Sequence, residues 1–256
     1  MVGDSSTAWR SATNPPRARP LLGRREVRIF YRFTDGAADG DRAAAYGLLS
    51  GHERARYRQL LFEEDRVSFL FAHALLRTAL SRVAAAAPGQ WRFRPRGRGR
   101  PELAGPPTRP RLRFSLSHTT GLVACAVTRE REVGVDVERL GPWADSAALA
   151  ERHFSPSERR VLAALPPRGA HAHFFSLWTL KEAYLKARGV GLGLPLDVAS
   201  FHVTAGAPPA VSFAPGHGED ARGWQFALLE PRPGYRLAVG ARRGAGAGIV
   251  FTIVPS

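Results

Sequence analysis

An apolar period close to 3.6 residues runs through residues 53–83 and again through 174–187, and short strand-like segments follow each run. In the first run the period is carried by Leu60, Leu61, Phe69, Leu70, Leu75, Leu76 and Leu80. In the second it is carried by Leu177, Leu180, Tyr184 and Leu185. A long helix with an apolar stripe has to bury that stripe, and the neighbouring strands supply the surface. Helix followed by antiparallel strands thus occurs twice, which predicts an α+β chain in two similar halves joined near 128–132.

The remaining segments fit this plan. Strands are expected at 26–33, 112–116, 123–127, 133–138, 201–203, 224–229, 235–241 and 249–254. Shorter helices are expected at 41–50, 145–153 and 155–165, the last opening with Ser155 as cap and Pro156 in the first turn. Residues 91–110 read as a loop rich in Arg, Gly and Pro. The division expected is a disordered tail over 1–25, a first half over 26–130 and a second half over 131–256. The chain has 256 residues, 44% of them hydrophobic, enough for a sizeable core.

Composition narrows the function classes. Cys125 is the single cysteine, so no disulfide forms within one chain and a reducing, cytoplasmic setting is expected. No apolar run reaches the ~18 residues of a membrane span, and 1–25 lacks the apolar core of a signal peptide. The formal charge is +15, from 37 Lys+Arg against 22 Asp+Glu. Such a field attracts an anionic partner, which could be nucleic acid, a polyphosphate cofactor or an acidic protein. Eight histidines are present, but His171 and His173 have no soft third ligand, so no zinc site is expected. The glycines of Gly189-Val190-Gly191-Leu192-Gly193 follow a helix rather than a strand, which excludes a dinucleotide-binding turn.

Four short motifs carry chemistry. In Gly134-Val135-Asp136-Val137-Glu138, strand alternation puts Asp136 and Glu138 on one face and the valines on the other. Paired carboxylates suit a hard cation such as Mg²⁺, although an isolated D-x-E is more often a solvated strand end. On the second long helix, Trp178, Glu182 and Lys186 are spaced i, i+4, i+8, one above the other. That pair could be a plain surface ion pair, or a third acid for a metal with a cation for phosphate. Ser117, His118 and Thr119 close a strand with three groups able to donate to phosphate. Arg94, Arg96, Arg98 and Arg100 alternate through a glycine-rich loop that could hold phosphate or nucleic acid.

In the order G-R-P, S-H-T, G-V-D-V-E and W-x-x-K-E-A-x-x-K, these motifs resemble the 4′-phosphopantetheinyl transferase superfamily, in its long, surfactin-synthetase-activating type. The most specific tract is Lys181-Glu182-Ala183-Tyr184-Leu185-Lys186-Ala187-Arg188-Gly189, and Phe154-Ser155-x-x-Glu158 also matches. The resemblance implies two pseudo-twofold-related halves with coenzyme A between them. It implies Asp136, Glu138 and Glu182 as ligands of Mg²⁺ or Mn²⁺, and Glu182 with Lys186 as the catalytic pair. Arg54, Arg56, Arg96, Arg100, Ser117, His118, Asp136, Lys181, Glu182 and Lys186 are implied as the coenzyme A contacts. The acceptor implied is a serine of an acyl, polyketide or peptidyl carrier protein. The acidic motif lies at residue 136 rather than near the N-terminus, unlike the short trimeric members, so a monomer is expected. Arg100 stands where lysine is commoner. Gly51 stands near a position where some members carry lysine, so Arg66 or Arg96 is expected to help hold the 3′-phosphate. The competing readings are a basic nucleic-acid-binding protein, which needs no trio of acids, and a silent coenzyme A-binding relative, which has no reason to keep both lysines.

Overall fold

The structure is a computed structural model that describes residues 22–96, 100–190, 193–244 and 248–255. Its first half contains β1 (Glu26–Phe33), α1 (Asp39–Leu48), α2 (Gly51–Gln59), α3 (Glu63–Val83), a hairpin of β2 (Arg92–Arg96) and β3 (Arg100–Gly105), then β4 (Leu112–Thr119) and β5 (Leu122–Arg129). The second half contains β6 (Val133–Arg139), α4 (Trp143–His153), α5 (Pro156–Ala164), α6 (Pro167–Arg188), a hairpin of β7 (Ala199–His202) and β8 (Ala210–Phe213), β9 (Trp224–Leu229), β10 (Tyr235–Arg242) and β11 (Val250–Pro255).

Two main sheets form, ordered β11-β1-β5-β4 and β6-β10-β9. Strand alternation gives each sheet two apolar faces. On β5, Val123, Cys125 and Val127 pack under α3, while Leu122, Ala124 and Ala126 face the other sheet. On β10, Ala238 packs toward α6, while Leu237, Val239 and Ala241 face inward. The layers therefore run helix, sheet, sheet, helix, and a third core of Val27, Ile29, Val135, Val137 and Leu237 fills the seam between the halves. The expected α+β plan is present.

Several expectations need correction. The single helix expected over 53–83 is two helices. Leu60 and Phe62 are extended, Leu61 and Phe62 are 84% and 70% exposed, and Arg66 Nε donates to Leu60 O. Basic Arg56 and Arg58 at the end of α2 and acidic Glu63, Glu64 and Asp65 at the start of α3 favour helix termini there, as the two helix dipoles demand. The Arg/Gly/Pro loop contains the β2–β3 hairpin, and β8 was not anticipated. Helix α6 starts at Pro167 rather than at 174. The second half does not end the chain as a separate unit: β11 returns to run parallel to β1 in the first sheet. The tail expected over 1–25 shortens at its C-terminal end, since Leu22 is buried in the first core; residues 1–21 lie outside the described residues.

Candidate active site

The site is built where β6 crosses the inner flank of α6. Gly134 makes that crossing possible: a Cβ there would fall 1.9 Å from Ala183 O and 2.5 Å from Ala187 N. Only a residue without a side chain lets strand and helix backbones touch, and this contact draws the acids of β6 against the polar stripe of α6. On α6, Leu177, Leu180, Tyr184 and Leu185 are buried as expected, whereas Trp178, Glu182 and Lys186 keep part of their surface open.

The edge of β6 is closed in an unusual way. β4 presents a hydroxyl at every second residue, and each accepts a backbone amide of β6: Ser115 Oγ from Val135 at 3.1 Å, Ser117 Oγ from Val137 at 3.3 Å and Thr119 Oγ1 from Arg139 at 3.3 Å. Side chains thus replace a backbone ladder across the seam, satisfying an edge that would otherwise lose its hydrogen bonds. Ser115 and Thr119 were not recognised in this role from sequence, although their period of two was visible.

Ser117 then turns toward chemistry. Its hydroxyl donates to Asp136 Oδ1 at 2.9 Å, and Lys186 Nζ donates both to Ser117 Oγ at 2.7 Å and to Asp136 Oδ1 at 2.6 Å. Asp136 is buried, and its second oxygen, Oδ2, has no hydrogen-bond partner among the described residues. Glu138 and Glu182 face the same space. Burial and the nearby Asp136 charge push Glu138 up to about 7, against Lys186 and a hydrogen bond from Trp178. Burial and Asp136 also raise Glu182, with Lys186 opposing. Three carboxylates therefore share one ammonium, and the site is short of positive charge.

A family model described as the 4′-phosphopantetheinyl transferase superfamily matches residues 132–240, the stretch that carries these acids and α6. The 4′-phosphopantetheinyl transferase HetI of Nostoc sp. strain PCC 7120 is 38% identical over 167 residues, covering 65% of this chain and 70% of HetI. The transferase Sfp of Bacillus subtilis strain 168 is 29% identical over 192 residues, covering 75% of this chain and 81% of Sfp. The chain belongs to the 4′-phosphopantetheinyl transferase superfamily. A solved holo-(acyl-carrier-protein) synthase of Bacillus anthracis str. Ames is 17% identical, covers 44% of this chain and 96% of that one, and has a TM-score of 0.37.

The other residues that the superfamily resemblance implied are placed unevenly. Lys181 is a correction. It is 1% exposed and donates to Glu158 Oε2 at 2.8 Å, Leu196 O at 2.8 Å and Ala199 O at 2.6 Å, so it cannot reach a ligand. Burial lowers its pKa and Glu158 opposes that shift. Glu158, part of the Phe154-Ser155-x-x-Glu158 match, has a structural role. It closes a capping box with Ser155, accepts Phe201 N at 2.8 Å and neutralises Lys181.

Ser117 is likewise corrected as a phosphate donor, because its proton points to Asp136. His118 is exposed at the end of β4; crowding by the surrounding protein, then Lys186 and His73, lower its pKa. Arg54 turns back onto α1, donating to Tyr46 O and Gly47 O and lying 5.2 Å over the Tyr46 ring, whereas Arg56 is exposed. Arg66, weighed as a 3′-phosphate contact, is engaged at the α2–α3 break. Arg96 and Arg100 pair across the β2–β3 hairpin; their side chains, and Arg98, lie outside the described residues. The sequence missed Glu53, which sits on the same helix as Arg54. Burial would raise Glu53, but hydrogen bonds from His73 and Ser50 and the charges of Arg77 and His73 bring it down to about 2.

Among the described residues, no three carboxylate, imidazole or thiol groups converge tightly enough to enclose a metal as they stand, and Asp136 is held by Lys186. The donor set nevertheless fits a hard divalent cation. All three acids offer oxygen, Asp136 Oδ2 is unsatisfied, and Glu138 and Glu182 are raised by burial and crowded charge. Asp136, Glu138 and Glu182 are the residues that would hold it.

Proposed function

We propose that the chain moves the 4′-phosphopantetheine arm of coenzyme A to a serine hydroxyl of acyl, polyketide or peptidyl carrier proteins, with Mg²⁺ held by Asp136, Glu138 and Glu182. The observation that carries this reading is the unsatisfied, buried Asp136 Oδ2 beside two raised carboxylates and one half-exposed lysine. A structural ion-pair cluster would be fully paired. This one has a deficit of positive charge and opens toward solvent along the α6 stripe.

The cation supplies charge neutralisation for the pyrophosphate. The protein supplies the rest. Glu182, raised by burial and by Asp136, or a water that it orients, takes the serine proton. The serine oxygen forms a bond to the phosphorus that bears pantetheine. The bond from that phosphorus to the oxygen of adenosine 3′,5′-bisphosphate breaks. Lys186, one turn beyond Glu182 on the same open stripe, stabilises the charge on the departing phosphate. Ser117 orients Lys186 and Asp136 rather than touching phosphate. The +15 charge gives a positive rim that steers acidic carriers and coenzyme A inward. The protein acts as a monomer in the cytoplasm, as the long motif order and the lack of disulfide potential support.

The test is incubation with coenzyme A, Mg²⁺ and apo-carriers of each class, read by intact-protein mass spectrometry. One phosphopantetheine of added mass on a carrier, abolished by EDTA and restored by Mg²⁺, is the expected result. No gain on any carrier would refute transfer, and a gain unaffected by EDTA would refute the metal.

A further inference from the structure

At the far end of the seam from the transfer centre lies a cavity of about 770 Å³ whose walls are dominated by arginine. Arg24, Arg129, Arg131, Arg188, Arg242 and Arg243 line it, against three acids, Glu130, Glu132 and Glu219. Glu132, just before β6, lies four residues ahead of Asp136, about 13 Å at ordinary strand rise, so the cavity lies away from the acids of β6, with Arg188, two residues past Lys186 on α6, on its wall.

The arginines are not neutralised in pairs. Glu219 alone serves both Arg188 and Arg242. Among the described residues Arg131 donates to backbone alone, to Arg24 O and Arg242 O at 3.3 Å each, and so ties three segments together without losing its charge. Among the described residues Arg24, Arg129 and Arg243 have no carboxylate partner. The wall is also shaped for Arg131: a Cβ on Gly244 would fall 3.0 Å from Arg131 Nη1, so the guanidinium lies against bare backbone. Glu130, at the turn joining the halves, has φ 54 and is the one non-glycine residue with positive φ among the described residues. Backbone strain of this kind concentrates at ligand clamps. A smaller adjoining cavity shares Glu132 and Arg188, and its wall includes Arg113, whose Nε is buried with no hydrogen-bond partner among the described residues.

Convergent, under-neutralised guanidinium groups around a volume this large select a compact, multiply charged anion with several acceptor oxygens, and phosphate matches their fork geometry best. We propose that this cavity is a second anion site, binding a small polyphosphate at the junction of the two halves, independent of the transfer centre.

Isothermal titration of inorganic tripolyphosphate into the full chain already saturated with coenzyme A tests this. The expected result is one further binding event. Arg129→Ala/Arg243→Ala should weaken it by at least about tenfold, from the loss of two charge-assisted contacts. The same variant should form holo-carrier at the unaltered rate. Absence of binding once coenzyme A is saturating, or equal affinity in the variant, would overturn the proposal.

Discussion

Helix α6 carries two lysines five residues apart, and the structure uses them in opposite ways. Lys181 is enclosed, and each neighbour of its ammonium answers it: one carboxylate and two carbonyls. Lys186 is 32% exposed and shares its carboxylate with a serine, while that carboxylate keeps an orphan oxygen and two further acids press on it. The first pair is complete and holds α5, α6 and the start of β7 together. The second is incomplete, and incompleteness is what a site for charged substrates requires. The motif letters K-E-x-x-x-K give both lysines equal weight; burial and satisfaction separate them.

The contrast can be broken at its base. Gly134→Ala should unfold or severely destabilise the protein, by about 4 kcal/mol or more, because its Cβ overlaps the α6 backbone that seats both lysines. Urea denaturation reads this, and a loss below about 1 kcal/mol would mean that strand and helix part easily. Lys181→Met comes next. It should cost about 3–5 kcal/mol by stranding Glu158, with part of that recovered in Lys181→Met/Glu158→Gln, whose amide oxygen can still accept a backbone amide. Folded Lys181→Met protein should still bind coenzyme A normally.

Lys186→Met should do the reverse. Its stability should fall by about 1–3 kcal/mol, less than for Lys181→Met, because buried Asp136 loses its cation but keeps the Ser117 hydrogen bond, while kcat drops by about a hundredfold or more. A Lys186→Met enzyme with normal turnover would put both lysines in the same architectural class.

How far the sequence could reach follows from the same two residues. The stripe of Trp178, Glu182 and Lys186 was legible because helical spacing decides which side chains share a face. The pairing of Asp136 with Glu138, and the burial of Val135 and Val137, were legible from strand alternation. Lys181 was misread because its environment is made by Leu196, Ala199 and Glu158, all distant in sequence. Ser117 was misread for a similar reason: its partners come from β6 and α6. The break at Leu60–Phe62 was readable from the charge reversal across it, but the apolar period through Leu60 and Leu61 hid it. The return of β11 to β1 had no local signal at all, since a lone apolar strand does not specify its partner.

A smaller effect sharpens the charge deficit on the Lys186 side. Glu138 is raised to about 7 from 4.5, so its contribution to stability is fully present below 4.5 and is lost as pH rises toward 7. Thermal stability should therefore fall across that window. Glu138→Gln should flatten the profile, and Mg²⁺ should raise Tm more at pH 8 than at pH 5.5. A wild-type profile flat between pH 4.5 and 7, with no greater Mg²⁺ effect at pH 8, would show that the acids are already balanced.

The central claim is that the unsatisfied acids beside Lys186 perform the transfer. Steady-state transfer by Glu182→Gln, measured together with its calorimetric Kd for coenzyme A, tests it most directly. Its kcat should fall by about a hundredfold or more while Kd stays within about threefold of wild type. A variant that turns over at the wild-type rate would contradict it.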